Sequence, residues 1–174
     1  MNQHSAMPLR RRAVVPLMVA AVAVVALLAP LPVTAHDGSS GDVEIARGVF
    51  STLEGGEQLG FDIDGRAMMV RLPHHTLVHV RVNGLAAKTT YPAHVHDGPC
   101  SADPPGGVHY QHKPGDGPRF VNDVNEIWPE ITTNGRGGAH AHAAHGHRAR
   151  PDARSVVIHY PEDTSIRLAC ADLR

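Results

Sequence analysis

The sequence predicts an all-β fold, an antiparallel sandwich or flattened barrel, and three observations carry that expectation. Short β-type runs recur along the chain, tight-turn pairs separate them, and beyond residue 35 no stretch sustains a helical apolar period. Short strands at regular spacing, with no helices between them, pair as antiparallel sheets whose inner faces bury each other. The chain has 174 residues, 42% of them hydrophobic and 19% charged. That is enough for one domain, and not for two once the N-terminus is set aside.

Residues 1–35 read as a secretory signal. Arg10, Arg11 and Arg12 form the positive region, residues 13–30 are mostly Ala, Val and Leu, and Val33-Thr34-Ala35 is a small-residue cleavage site before His36. If uncleaved, the same stretch would be a membrane anchor. Residues 36–42 are polar and Gly/Ser-rich, a lead-in to a domain over 43–174. Strands are expected at 43–53, 67–72, 76–82, 131–144 and 155–160, with Gly55-Gly56, Asp64-Gly65 and Asn83-Gly84 as turns between them. In 76–82 the residues Val78, Val80 and Val82 alternate with Leu77, His79 and Arg81, so one face is buried. Residues 98–118 carry many Gly and Pro and read as a long ordered loop.

Beyond residue 35 there are 13 Lys/Arg (16 less the three signal arginines) against 17 Asp/Glu, a formal charge of −4. Nucleic-acid binding needs a basic face, so that partner class is not expected. Cys100 and Cys170, an even count in an exported chain, suggest one disulfide. Histidine stands out: 14 in the chain, with only His4 inside the signal. It is the commonest metal ligand and titrates near neutral pH.

His94-Val95-His96 is the sharpest motif. On a strand, residues two apart share a face, so both imidazoles can reach one ion; two surface histidines on an alternating strand fit the same pattern. His109 follows a Gly/Pro-rich loop. His159 ends the apolar run Ser155-Val156-Val157-Ile158, where a lone histidine is ordinarily a hydrogen-bonded core residue. The combination points to a metal.

The order of these motifs resembles the copper/zinc superoxide dismutase family. Val80-Arg81-Val82-Asn83-Gly84-Leu85 followed by His94-Val95-His96-Asp97-Gly98-Pro99-Cys100 is similar to that family's strand, Gly-Leu turn and His-x-His copper motif. Gly106-Gly107-Val108-His109 resembles the segment whose histidine bridges copper and zinc. Arg154–His159 resembles the segment of the fourth copper histidine, and Arg167-Leu168-Ala169-Cys170 the C-terminal Arg-Leu-Ala-Cys. The likeness runs from about Val43 to Leu173. It implies a Greek-key β-sandwich or flattened barrel, with copper on His94, His96, His109 and His159. It also implies a Cys100–Cys170 disulfide, with superoxide as the substrate. In the family's reaction Cu(II) oxidises one superoxide to dioxygen and Cu(I) reduces a second to hydrogen peroxide. His109 would supply a proton to the second half, and Arg167 would hold the anion.

Two departures matter. In zinc-binding members two more histidines and an aspartate follow the bridging histidine. Here only His112 lies close, three residues on, with Asp116, Asp123 and Glu126 as scattered carboxylates and Glu126 nearest the place of the zinc aspartate. A complete zinc site needs more than this, so copper without a matching zinc is expected. His109 then needs an acceptor for its second nitrogen, with Glu126 ahead of Asp123. Second, His159 and Arg167 are eight residues apart, too few for the family's long electrostatic loop. Both features resemble the copper-only extracellular branch.

His140, His142, His145 and His147 are not explained by the resemblance. They fit a loose secondary metal-capture site or, as preferred here, a solvated edge strand, with 145 and 147 of opposite parity unless a bulge falls near Ala143-Ala144. Cleavage after Ala35 would also leave His36 as an N-terminal chelator. The reading is therefore a secreted, copper-dependent superoxide dismutase, probed against a non-catalytic copper-binding or buffering protein on the same fold. The oligomeric state is not legible.

Overall fold

The computed structural model describes residues 42–174; the expected signal at 1–35 and all of the lead-in but Asp42 lie outside the described residues. The strands are β1 (Glu44–Val49), β2 (Ser51–Thr52), β3 (Asp64–Arg71), β4 (Thr76–Asn83), β5 (Thr90–Tyr91) and β6 (Ala93–His96). They continue as β7 (Ile131–Thr132), β8 (Ala139–His145), β9 (Ser155–His159) and β10 (Arg167–Asp172), with a short helix α1 (Glu54–Gln58) after β2. One antiparallel sheet runs β1-β3-β4-β8 and a second β2-β10-β9-β6, while β5 and β7 form a small ribbon. The chain crosses from the first sheet to the second after β4, returns for β8, and crosses again to β9. This is a Greek-key sandwich.

Alternation builds the core. On β4 the residues Val78, Val80 and Val82 are buried while His79, Arg81 and Asn83 are exposed. Val95, Val156, Ile158 and Leu168 face them from the second sheet, all fully buried. Burying each such side chain contributes roughly 1.5–3 kcal/mol. Every residue of β9 is buried, not alternate ones, because the loop at 98–118 covers its outer face. Gly106 makes that cover possible. It sits at φ +90°, and a Cβ there would meet Val157 Cγ2 at 2.6 Å.

Several expected elements differ in detail. The run at 43–53 breaks at Phe50, which turns into the core between β1 and β2. Gly55-Gly56 belongs to α1 and is no turn: a Cβ on Gly56 would lie 2.4 Å from the Leu168 carbonyl oxygen, so the helix needs glycine to pack on β10. Asp64-Gly65 already lies in β3, with Gly65 opposite Val82. The run at 131–144 splits into β7 and β8 because Asn134 Oδ1 accepts hydrogen bonds from the backbone of Arg136 (2.8 Å) and Gly138 (3.3 Å), closing a turn. β8 pairs with β4 in unbroken register from Ala139 to His145. There is no bulge, so His140 and His142 point outward and His145 inward, where it is 3% exposed. The solvated-edge expectation thus describes only half of that cluster. Among the described residues no helix is long and apolar enough to cross a membrane.

Candidate metal centre

His94 and His96 sit on β6 and His159 ends β9, which pairs with β6. His109 reaches them from the covering loop. Its segment lies along β6 in a short antiparallel contact: Asp97 N–H donates to the Val108 carbonyl (3.0 Å), Tyr110 N–H to the Val95 carbonyl (2.9 Å), and His96 stands opposite His109. The loop is anchored at the other end by the Cys100–Cys170 disulfide, with Cα atoms 5.7 Å apart, and by Cys100 N–H donating to Asp172 Oδ1 at 2.7 Å.

The four imidazoles therefore converge. One ring nitrogen from each lies within 4.8 Å of the others, and the His94 and His109 ring centroids are 4.1 Å apart. Ring tautomers follow from the partners, because an oxygen acceptor forces a proton onto the nitrogen facing it. His159 Nδ1 donates to the Thr164 carbonyl (2.7 Å), His96 Nδ1 weakly to the Gly107 carbonyl (3.4 Å), and His109 Nδ1 to Glu126 Oε2 (2.8 Å). Their Nε2 atoms are left with lone pairs. His96 Nε2 and His159 Nε2 face each other at 3.2 Å, so with Nδ1 carrying the proton on both rings they bring two lone pairs together. His94 Nδ1 is buried without a partner. Each of these features is costly alone and is relieved by a cation at the common point.

Burial, followed by the neighbouring imidazoles, keeps three of the rings neutral. It lowers His94 to about 3 and His96 to about 2. His159 falls to about 4, again mainly through burial, partly offset by its bond to Thr164. Neutral imidazole is the ligating form. An all-imidazole set suits copper, zinc or nickel, so the donors fit a transition metal and do not by themselves choose one.

The other candidate residues separate clearly. Glu126, 1% exposed, takes His109 Nδ1, and it also accepts from Trp128 Nε1 (2.9 Å) and Gln111 Nε2 (3.2 Å). Asp123 is exposed in the preceding turn and Asp116 lies on the rim of a groove beside His109. His112 turns away from the four histidines and stacks on His147, with ring centroids 3.9 Å apart and planes within 4°. Arg167 is opposite His159 in the β9–β10 register, and its Nη1 donates to the Pro105 carbonyl of the covering loop. Sequence reasoning missed Trp128 and Gln111. The signal for Trp128 was its being the single tryptophan, two residues beyond a candidate carboxylate.

No family model matches the chain, and no curated protein matches it. Among solved structures it is similar to the Cu/Zn superoxide dismutase from Brucella abortus, at 19% identity and a TM-score of 0.53, over 75% of this chain and all of that one. Likeness at this level concerns architecture, since one fold hosts many chemistries. With its two antiparallel sheets, its loop-to-strand disulfide and its histidine cluster, the chain has the fold of copper/zinc superoxide dismutase.

Proposed function

We propose that this chain is a secreted superoxide dismutase that uses copper and no zinc, with residues 1–35 removed as a signal and 43–174 as the copper domain. The observation that carries the reading is the four-imidazole cluster, three of its rings fixed as Nδ1–H tautomers and one left with an orphaned nitrogen. His94, His96, His109 and His159 would hold the ion. Copper bound there supplies one-electron exchange, taking an electron from one superoxide and giving it to another.

The protein's own groups do the rest. His109 reaches solvent with a side chain 31% accessible, so it can pass a proton between solvent and the reacting oxygen at Nε2. Glu126 holds the other nitrogen protonated throughout. Arg167, whose pKa burial lowers but whose guanidinium stays charged, offers unspent donors to an anion. Support for the copper-only form is that the carboxylate on His109 Nδ1 stands where a bridging histidine would meet zinc, while His112 is engaged with His147.

Metal analysis and superoxide consumption on the purified protein test this together. Expected are one copper on these four histidines, no stoichiometric zinc, and activity far above free copper. His159→Ala should abolish it. Copper-loaded protein no faster than free copper would support the buffering alternative, which the surplus histidines favour. Equal copper and zinc after removal of adventitious metal would overturn the zinc-free form.

A further inference from the structure

Half of the surplus histidines form a second constellation on the opposite sheet. β8 is an edge strand paired in register with β4, which sets His142 directly across from His79 and His140 across from Arg81. All three histidines are exposed on the outer face, away from the core. Directly opposed residues on antiparallel strands have Cβ atoms roughly 4.5–5.5 Å apart, a span that lets two imidazoles close on one ion. His140, two residues from His142, shares its face. Met68 is the register partner of His79 on its other side and adds a thioether to the row. Met68, His79, His140 and His142 line one shallow depression.

We propose that this outer face is a second copper site, held by His79 and His142, with His140 as third donor. Imidazole is a borderline ligand, and affinities of such sites rise through nickel to copper and fall again at zinc, so copper is the ion it selects. Met68 is a soft donor suited to Cu(I). Arg81 opposes His140 and repels a cation there, which places the ion nearer the His79–His142 pair. The exposed rings must be ordered on binding, so the site is weaker than a cluster already converged. It lies on the β1-β3-β4-β8 sheet, whereas His94, His96 and His159 lie on the other sheet. It does not rest on the dismutase reading.

The test is copper stoichiometry, not activity. Purified intact protein, freed of metal, is titrated with Cu(II) and followed by equilibrium dialysis and electron paramagnetic resonance. Expected is a weaker copper with its own signal, lost in the His79→Gln/His142→Gln variant and retained in a His74→Gln/His75→Gln control at the exposed β3–β4 turn. The stronger signal should be unchanged in both. Should the four-histidine centre fail to bind, the weaker copper is still lost in the first variant, so the two failures are distinguishable. A copper count unaltered by His79→Gln/His142→Gln, or lowered equally by the control, overturns the site.

Discussion

Glu126 Oε2 lies 2.8 Å from His109 Nδ1, with the carboxylate 1% exposed and the imidazole 31%. The carboxylate is also held by Trp128 and Gln111, so its cost of burial is met by three donors. A fixed acceptor at Nδ1 does for His109 what backbone carbonyls do for His96 and His159: it leaves the lone pair on Nε2, toward the cluster. The loop histidine thus gains an orientation that its short contact with β6 could not give alone.

Removing that acceptor should therefore cost function before metal. In Glu126→Ala the rate should fall about 10–100-fold, the usual scale for losing a ligand's outer partner, with copper still bound. Glu126→Gln keeps an acceptor oxygen and should recover part of the loss. If Glu126→Ala kept both the rate and its pH profile, His109 would owe its orientation to something else.

Arg167 should separate binding of the anion from binding of the ion. It touches the loop carbonyl of Pro105 and stands across from His159. Arg167→Ala should lower the rate and retain a full copper. Arg167→Lys should fall between, since an ammonium keeps the charge and loses the fork. Loss of copper in Arg167→Ala would show that the arginine braces His159.

The alternating strands, the glycine-rich cover and the order of the histidine motifs were legible because each is local. Val78, Val80 and Val82 announce a buried face by period alone. What the sequence hid depends on which strands become neighbours. His79 meets His142 only through the β4–β8 register, and His112 meets His147 across 35 positions. The glycines of α1 looked like a turn because their reason, the approach of β10, is over 100 residues away. Parity correctly separated His140 and His142 from His145, but parity cannot say which side an inward histidine finds company.

The Cys100–Cys170 bond closes a span of 70 residues, for which chain entropy gives about 4 kcal/mol of stabilisation. It also ties the loop carrying His109 to β10 and Arg167. Denaturant unfolding with and without reductant should show a loss of that order. The reduced protein should also bind copper more weakly, because the loop ligand is released. Unchanged unfolding midpoint and copper affinity after complete reduction would remove the bond from both roles.

The metal-free protein should be acid-sensitive in a defined window. His94, His96 and His159 are lowered from 6.5 to about 3, 2 and 4, mainly by burial. Below about pH 6.5 the unfolded chain takes up protons on these rings and the folded chain does not. Stability is then complete above that pH and declines as pH falls, through all three rings down to about 4 and through His94 and His96 below it. Each ring contributes up to about 1.4 kcal/mol per pH unit, so three give a ceiling of about 4 kcal/mol per unit. Unfolding free energies measured from pH 7 to 4.5 in chelator should fall more steeply than one proton allows. His96→Gln, which deletes one of the three, should flatten the slope by about one proton. Parallel slopes for the two proteins would mean that His96 does not stay neutral in the fold, and the lone-pair arrangement at the cluster would have to be abandoned.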